Sequence, residues 1–162
     1  MKLQPTISYK PMPKTDSIDR NWLDWFEGYI TNLRRLYEQL VKSISTVTYD
    51  ITIVRDGKPT ASQTMFIEIT AHPLTFDSNF LGSTGTALIA ATATTTFNVR
   101  KAGTIVGHIV YAAGQTTPTF DTVSGAQVFY PSGTALTIDA PVTPDATLSG
   151  ISWVLVASRD FG

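Results

Sequence analysis

Apolar residues follow two different rhythms along this chain. Between residues 22 and 44 they recur at helical spacing: Trp22, Phe26, Tyr29, Leu33, Leu36 and Leu40 are separated by alternating steps of four and three, the seam of a heptad pattern. Leu23, Ile30, Tyr37 and Ile44 form a second column beside that seam, so the stripe is three positions wide per heptad, broader than a two-stranded zipper needs. The expected amphipathic helix spans residues 16–45. Thr15, Asp16 and Ser17 offer capping oxygens and Asp19 sits like the acid of a capping box; Asp24 and Glu27 lie early, Arg34, Arg35 and Lys42 late, as the helix dipole favours. Gly28 interrupts the pattern at a cost of about 1 kcal/mol relative to Ala. Such a stripe either packs on the chain's own β domain or meets copies of itself, and three heptads of large side chains exceed what one small sheet face usually covers.

Beyond the helix the rhythm becomes alternation. Val47, Tyr49, Ile51 and Ile53 alternate with Thr48, Asp50 and Thr52, the period of a half-buried strand. Residues 55–59 read as a turn in which Asp56-Gly57 supplies the positive φ of a tight hairpin, and 63–70 as its return strand, with Met65, Ile67 and Ile69 on one face. His72-Pro73 breaks the pattern, and the stretch through Gly85 reads as loop. Further strands are expected at 91–100, 105–111, 117–122, 127–130, 135–140 and 151–157, with glycine turns at Gly103 and Gly114. The fold class is therefore mainly β: an antiparallel, jelly-roll-like β-sandwich over residues 46–162, preceded by one N-terminal helix and an extended arm over residues 1–15. Pro5, Pro11 and Pro13 keep that arm out of helix, and Leu3, Ile7 and Tyr9 are its candidate anchors.

Composition narrows the function classes. A chain of 162 residues is long enough for one good core. The formal charge of −1 comes with no basic stripe, so no nucleic-acid partner is expected, and without cysteine there is neither a disulfide framework nor thiolate chemistry. No apolar run suits a secretion signal or a membrane span, which predicts a product made in a cytoplasm, not inserted in a membrane, and released by a route such as host lysis. Between residues 71 and 157 there are six charged residues, their usual surface role taken by Thr, Ser, Gly and Ala. That suits faces covered by neighbouring subunits; the alternative is an unusually neutral monomer.

Catalytic chemistry finds little support. His72 and His108 are the two histidines, Gly82-Ser83-Thr84-Gly85 has the wrong spacing for a nucleophile elbow, and no phosphate loop, metal-ligand pair or calcium loop is present. No catalytic residue, metal or cofactor is expected; an Asp121/Asp139 glycosidase pair is the enzymatic arrangement with any footing. Aromatic residues offer a second possibility, stacking against sugar rings. Phe129 and Tyr130, beside a turn, are the candidate glycan contacts, whereas Trp153 lies in the most apolar strand and is expected in the core.

The run FNVRKAGTIVGHIVYAAGQTTPTF at 97–120 resembles a β module of small virion and tail-fibre-associated proteins of tailed bacteriophages. LTIDAP at 136–141 and DATLSGI at 145–151 look like the end of the same module, and a proline-containing arm leading into WLDWF at 22–26 is similar to the starts of phage tail-associated proteins. The resemblance implies a virion structural protein, tail- or fibre-associated, forming a homo-oligomer with a trimer favoured. Trp22, Phe26, Tyr29, Leu33, Leu36 and Leu40 would be its interface, and the N-terminal region would attach it to other virion tail proteins. The alternative is a receptor-binding module that holds a host surface glycan. No site residue comes with the resemblance.

Overall fold

A computed structural model describes residues 20–160, and the chain divides into two compact units, Met1–Ile44 and Ser45–Gly162. The arm positions Leu3, Ile7 and Tyr9 and the capping candidates Thr15, Asp16, Ser17 and Asp19 lie outside the described residues. The first unit contributes α1 (Arg20–Ser45), whose 26 residues make a rod about 39 Å long. Its first turn carries no acid. Gly28 sits where an added Cβ would meet nothing within 4 Å, so nothing in the described chain demands a glycine there.

The second unit holds ten strands: β1 (Thr46–Arg55), β2 (Thr64–Ile69), β3 (Leu74–Phe76), β4 (Thr84–Ile89), β5 (Thr95–Lys101), β6 (Thr104–Tyr111), β7 (Thr119–Thr122), β8 (Val128–Tyr130), β9 (Ala135–Asp139) and β10 (Ser149–Asp160). They form two five-stranded antiparallel sheets facing each other across one core. The first sheet runs β1-β10-β3-β8, with β4 also on β10; the second runs β2-β9-β5-β6-β7. β10 is the spine of the first sheet. β1 pairs along it from Arg55↔Ile151 to Thr46↔Asp160, while β4 and then β3 share its other side.

Alternation sends Ile151, Trp153, Leu155 and Ala157 of β10 inward, against Phe97 and Val99 of β5, Ile109 and Tyr111 of β6, and Leu136 and Ile138 of β9. Phe97 packs edge-on to Trp153 at 4.9 Å between ring centroids, joining the two sheets. The polar tips of the central aromatics are satisfied: Trp153 Nε1 donates to the Tyr111 hydroxyl at 3.0 Å, which donates to the Thr86 carbonyl at 3.2 Å. Glycine makes room for two of these rings. A Cβ on Gly85 would lie 2.6 Å from Trp153 Cδ1, and one on Gly107 would overlap the Phe80 ring and the Asp121 carbonyl.

The structure departs from the sequence pattern in three places. β1 and β2 are not a hairpin; they open opposite sheets, because the connection through Gly57 (φ 73°), Pro59 and Ser62 (φ 53°) is longer than a two-residue turn and carries the chain across the sandwich. A bulge between Thr64 and Phe66 then splits the apolar set of β2, leaving Met65 2% exposed while Ile67 and Ile69 are 64% and 59% exposed. Finally, β3 lies inside the stretch expected to be loop, and β4 starts at its end and runs to Ile89, where no strand was expected. β3 is three residues long directly after Pro73, and β4 contains Gly85, so neither carries a clear alternation.

Candidate functional site

The described chain offers three surfaces: the stripe of α1, the outer face of the first sheet and the outer face of the second. On α1, Leu23, Phe26, Tyr29, Ile30, Leu33, Tyr37 and Leu40 are all exposed, Leu33 at 44%, and Trp22 and Leu36 are half-buried. Trp22 stacks on Phe26 at 5.3 Å and Trp25 on Tyr29 at 5.6 Å, each pair one turn apart, so the first turns present a broad aromatic surface. Trp25, beside the seam, was not among the residues singled out by spacing.

Cross-strand register lays out the other two surfaces. On the outer side of the first sheet, Phe129, Thr75, Ser158 and Thr48 form one row across β8, β3, β10 and β1. Thr84, Val154 and Thr52 form a second and Thr86, Ser152 and Val54 a third across β4, β10 and β1, with Val156 and Asp50 paired between. Asp50 is the one charged side chain among these positions. On the outer side of the second sheet a polar row crosses all five strands: Thr64, Asp139, Asn98, His108 and Asp121. Asp139 accepts from Arg100 Nε at 2.9 Å and from the Thr64 hydroxyl at 3.0 Å, while His108 Nδ1 lies 2.8 Å from Asp121 Oδ1. Asp121 and Asp139 therefore do not converge; three strand spacings of about 4.8 Å put them about 14 Å apart, beyond the roughly 9.5 Å limit for a glycosidase pair.

The two candidate glycan contacts are separated by the strand's own alternation. Phe129 is 52% exposed and Tyr130 is 0% exposed, its ring edge-on to Phe76 at 5.4 Å and its hydroxyl donating to the Arg100 carbonyl at 3.3 Å. Tyr130 is thus a core residue, and burial pushes its phenol well above the ordinary range. A shallow hollow of about 290 Å³ lies among Val54, Arg55, Asp56, Gly57, Lys58, Pro59, Gln63 and Met65. Its lining has no aromatic ring and its volume falls just below the roughly 300 Å³ at which ligand pockets begin.

Sequence reasoning missed Asp145. Its Oδ2 accepts from the Thr92 N–H and hydroxyl and from the Ala93 N–H, and its Oδ1 from the Thr147 N–H and hydroxyl and from the Leu148 N–H, at 2.5–3.0 Å. These donors, the Thr147 and Thr92 hydroxyls foremost, hold the carboxyl far below the usual carboxylate range. The group ties residues 92–93 to residues 145–148 and leaves no lone pair aimed at a ligand, so it is a staple. Among the described residues no three His, Cys, Asp or Glu side chains group to hold a metal ion, and no helix is long and apolar enough to cross a membrane. No protein-family model, curated protein or solved structure matches the chain.

Proposed function

We propose that this chain is a structural subunit of a tailed-bacteriophage virion, tail- or fibre-associated, that assembles as a homotrimer through α1. Residues 1–15 attach it to other virion tail proteins, and the sandwich is displayed outward. The observation that carries the self-association is the exposed apolar stripe of α1, three positions wide at heptad spacing. A jelly-roll reading of the sandwich belongs with this proposal, supported by the strand orders β1-β10-β3-β8 and β2-β9-β5-β6, in which β1 pairs with β10 in one sheet and β2 with β9 in the other. The virion setting rests on the resemblance of residues 97–120 and 136–151.

Replacing Leu33 and Leu36 together with Glu tests the association. Paired carboxylates placed in a dry seam without partners cost several kcal/mol per copy, so the variant should sediment as single chains with the sandwich still folded. Retention of the parent's mass would remove α1 as the interface. The attachment role has its own test: a chain lacking residues 2–14 should keep the parent's oligomeric mass and melting temperature yet fail to enter particles, and normal incorporation would contradict it. A second reading, recognition of a host surface glycan, is favoured by one observation, the exposed ring of Phe129. If it holds, Phe129→Ala weakens adsorption of the protein to host cells at unchanged oligomeric mass; unchanged adsorption rejects it.

A further inference from the structure

The carboxylates of the sandwich differ in whether anything holds them. Asp77 accepts from Gln127 Nε2 at 2.6 Å, Asp121 lies 2.8 Å from His108 Nδ1, and Asp139 accepts from Arg100 and Thr64. Asp145 accepts from its six donors. Asp50 stands within β1 ahead of Ile51, a buried β-branched residue paired with Leu155. Asp56 differs from all of these. It is exposed on the connection after β1, and neither its carboxylate nor the Gly57 N–H has a hydrogen-bond partner among the described residues.

Asp56 is also the one aspartate in the chain that is followed by glycine, and no asparagine is. Gly57 has φ 73°, and a Cβ placed on it would meet nothing within 4 Å. No side chain screens its nitrogen, and its backbone has the freedom to swing that nitrogen toward the preceding carboxyl. A main-chain N–H committed to a ladder or a turn must first give up its hydrogen bond to react, at a cost this one does not bear.

We infer that Asp56 is a site of spontaneous backbone modification, isomerising to isoaspartate through a cyclic imide formed with Gly57. In the first step the Gly57 nitrogen bonds to Asp56 Cγ, and its proton leaves with the hydroxyl of the protonated carboxyl as one water. Water then opens the ring. Attack at Cγ restores aspartate. Attack at the main-chain carbonyl carbon of Asp56 breaks the bond from that carbon to the Gly57 nitrogen, so the chain runs on through Cβ and Cγ and the former main-chain carbonyl becomes a free carboxylate. Nothing is oxidised or reduced, and water is the sole co-reactant. The change inserts one carbon ahead of the Gly57 carbonyl, which accepts from the Gly150 N–H at 3.1 Å. It therefore falls on the tie between this connection and the start of β10, the strand on which β1, β3 and β4 all pair. This chemistry needs no second copy of the chain, so it stands or falls apart from the oligomer proposed above.

The test is to store the full-length protein folded for several weeks in mildly acidic buffer, then denature it and digest it with an endoproteinase that cuts before aspartate but not before isoaspartate. Compared with a fresh sample, fragments 50–55 and 56–76 should fall as a joined 50–76 fragment rises, while the cuts before Asp77 and Asp145 stay complete. A joined 50–76 fragment that accumulates in a sample stored unfolded in urea but not in the folded one would show that the fold shields Asp56, and would overturn the inference. Joined fragments 56–120 or 139–159 rising as fast in the folded sample would show that a held carboxylate reacts as readily as a free one, and would also overturn it. So would the absence of any joined fragment.

Discussion

Asp145 shows how much of this domain's stability is decided by single side chains in loops. Six donors favour its ionised form, so its carboxyl titrates below the unfolded value of about 3.9. Stability from this group is therefore present above pH 4 and lost as pH falls toward the folded value. Asp145→Asn should be markedly less stable than the parent to urea at pH 7, and the gap should shrink below pH 4; a constant gap would deny the linkage. Tyr111 works with the opposite sign. Burial pushes its phenol up to about 12, so its contribution is complete below the unfolded value of about 10 and disappears as pH rises through 12. Tyr111→Phe orphans Trp153 Nε1 and should cost about 1–3 kcal/mol at neutral pH, less in alkali, read from unfolding at pH 7 and pH 11. Gly107→Ala should cost about 1–3 kcal/mol by forcing the Phe80 ring and the Asp121 carbonyl aside. Core placement of Trp153 was legible because apolar alternation marks the inward side. The burial of Tyr130 was not, since a three-residue strand has too little pattern to say which of two adjacent rings turns in.

At the scale of elements, the helix was the most legible part of the chain and the pairing of strands the least. Heptad spacing is a property of one contiguous segment, whereas pairing depends on partners far away in sequence: β1 meets β10 about a hundred residues later, and no feature of 46–55 names that partner. The β2 bulge is illegible for the same reason, because a one-residue slip parts Ile67 and Ile69 from Met65 without changing the alternation that put the three on one face. Asp145 escaped notice because its donors are mostly backbone N–H groups, which every residue has. α1 also supplies a test of register. Gly28 stands outside the seam with open space around it, so Gly28→Ala should raise the melting temperature by strengthening the helix by about 1 kcal/mol per chain, with the oligomer intact. Loss of the oligomer on this change would put Gly28 at the contact and the seam elsewhere.

For the whole molecule, the proposal joins two features that are awkward in an isolated chain and consistent in an assembly: a helix with a wide exposed apolar stripe, and a sandwich with six charged residues between positions 71 and 157. Neither alone says how many copies meet. The width of the stripe exceeds what a two-stranded zipper needs, and the proposed trimer rests on the resemblance of residues 97–120 and 136–151. The most direct measurement is the mass of the intact wild-type chain in solution by sedimentation equilibrium over a wide concentration range. The expected result is a single species at three times the 17.6 kDa chain mass; a species that stays at one chain mass at every concentration would contradict self-association through α1.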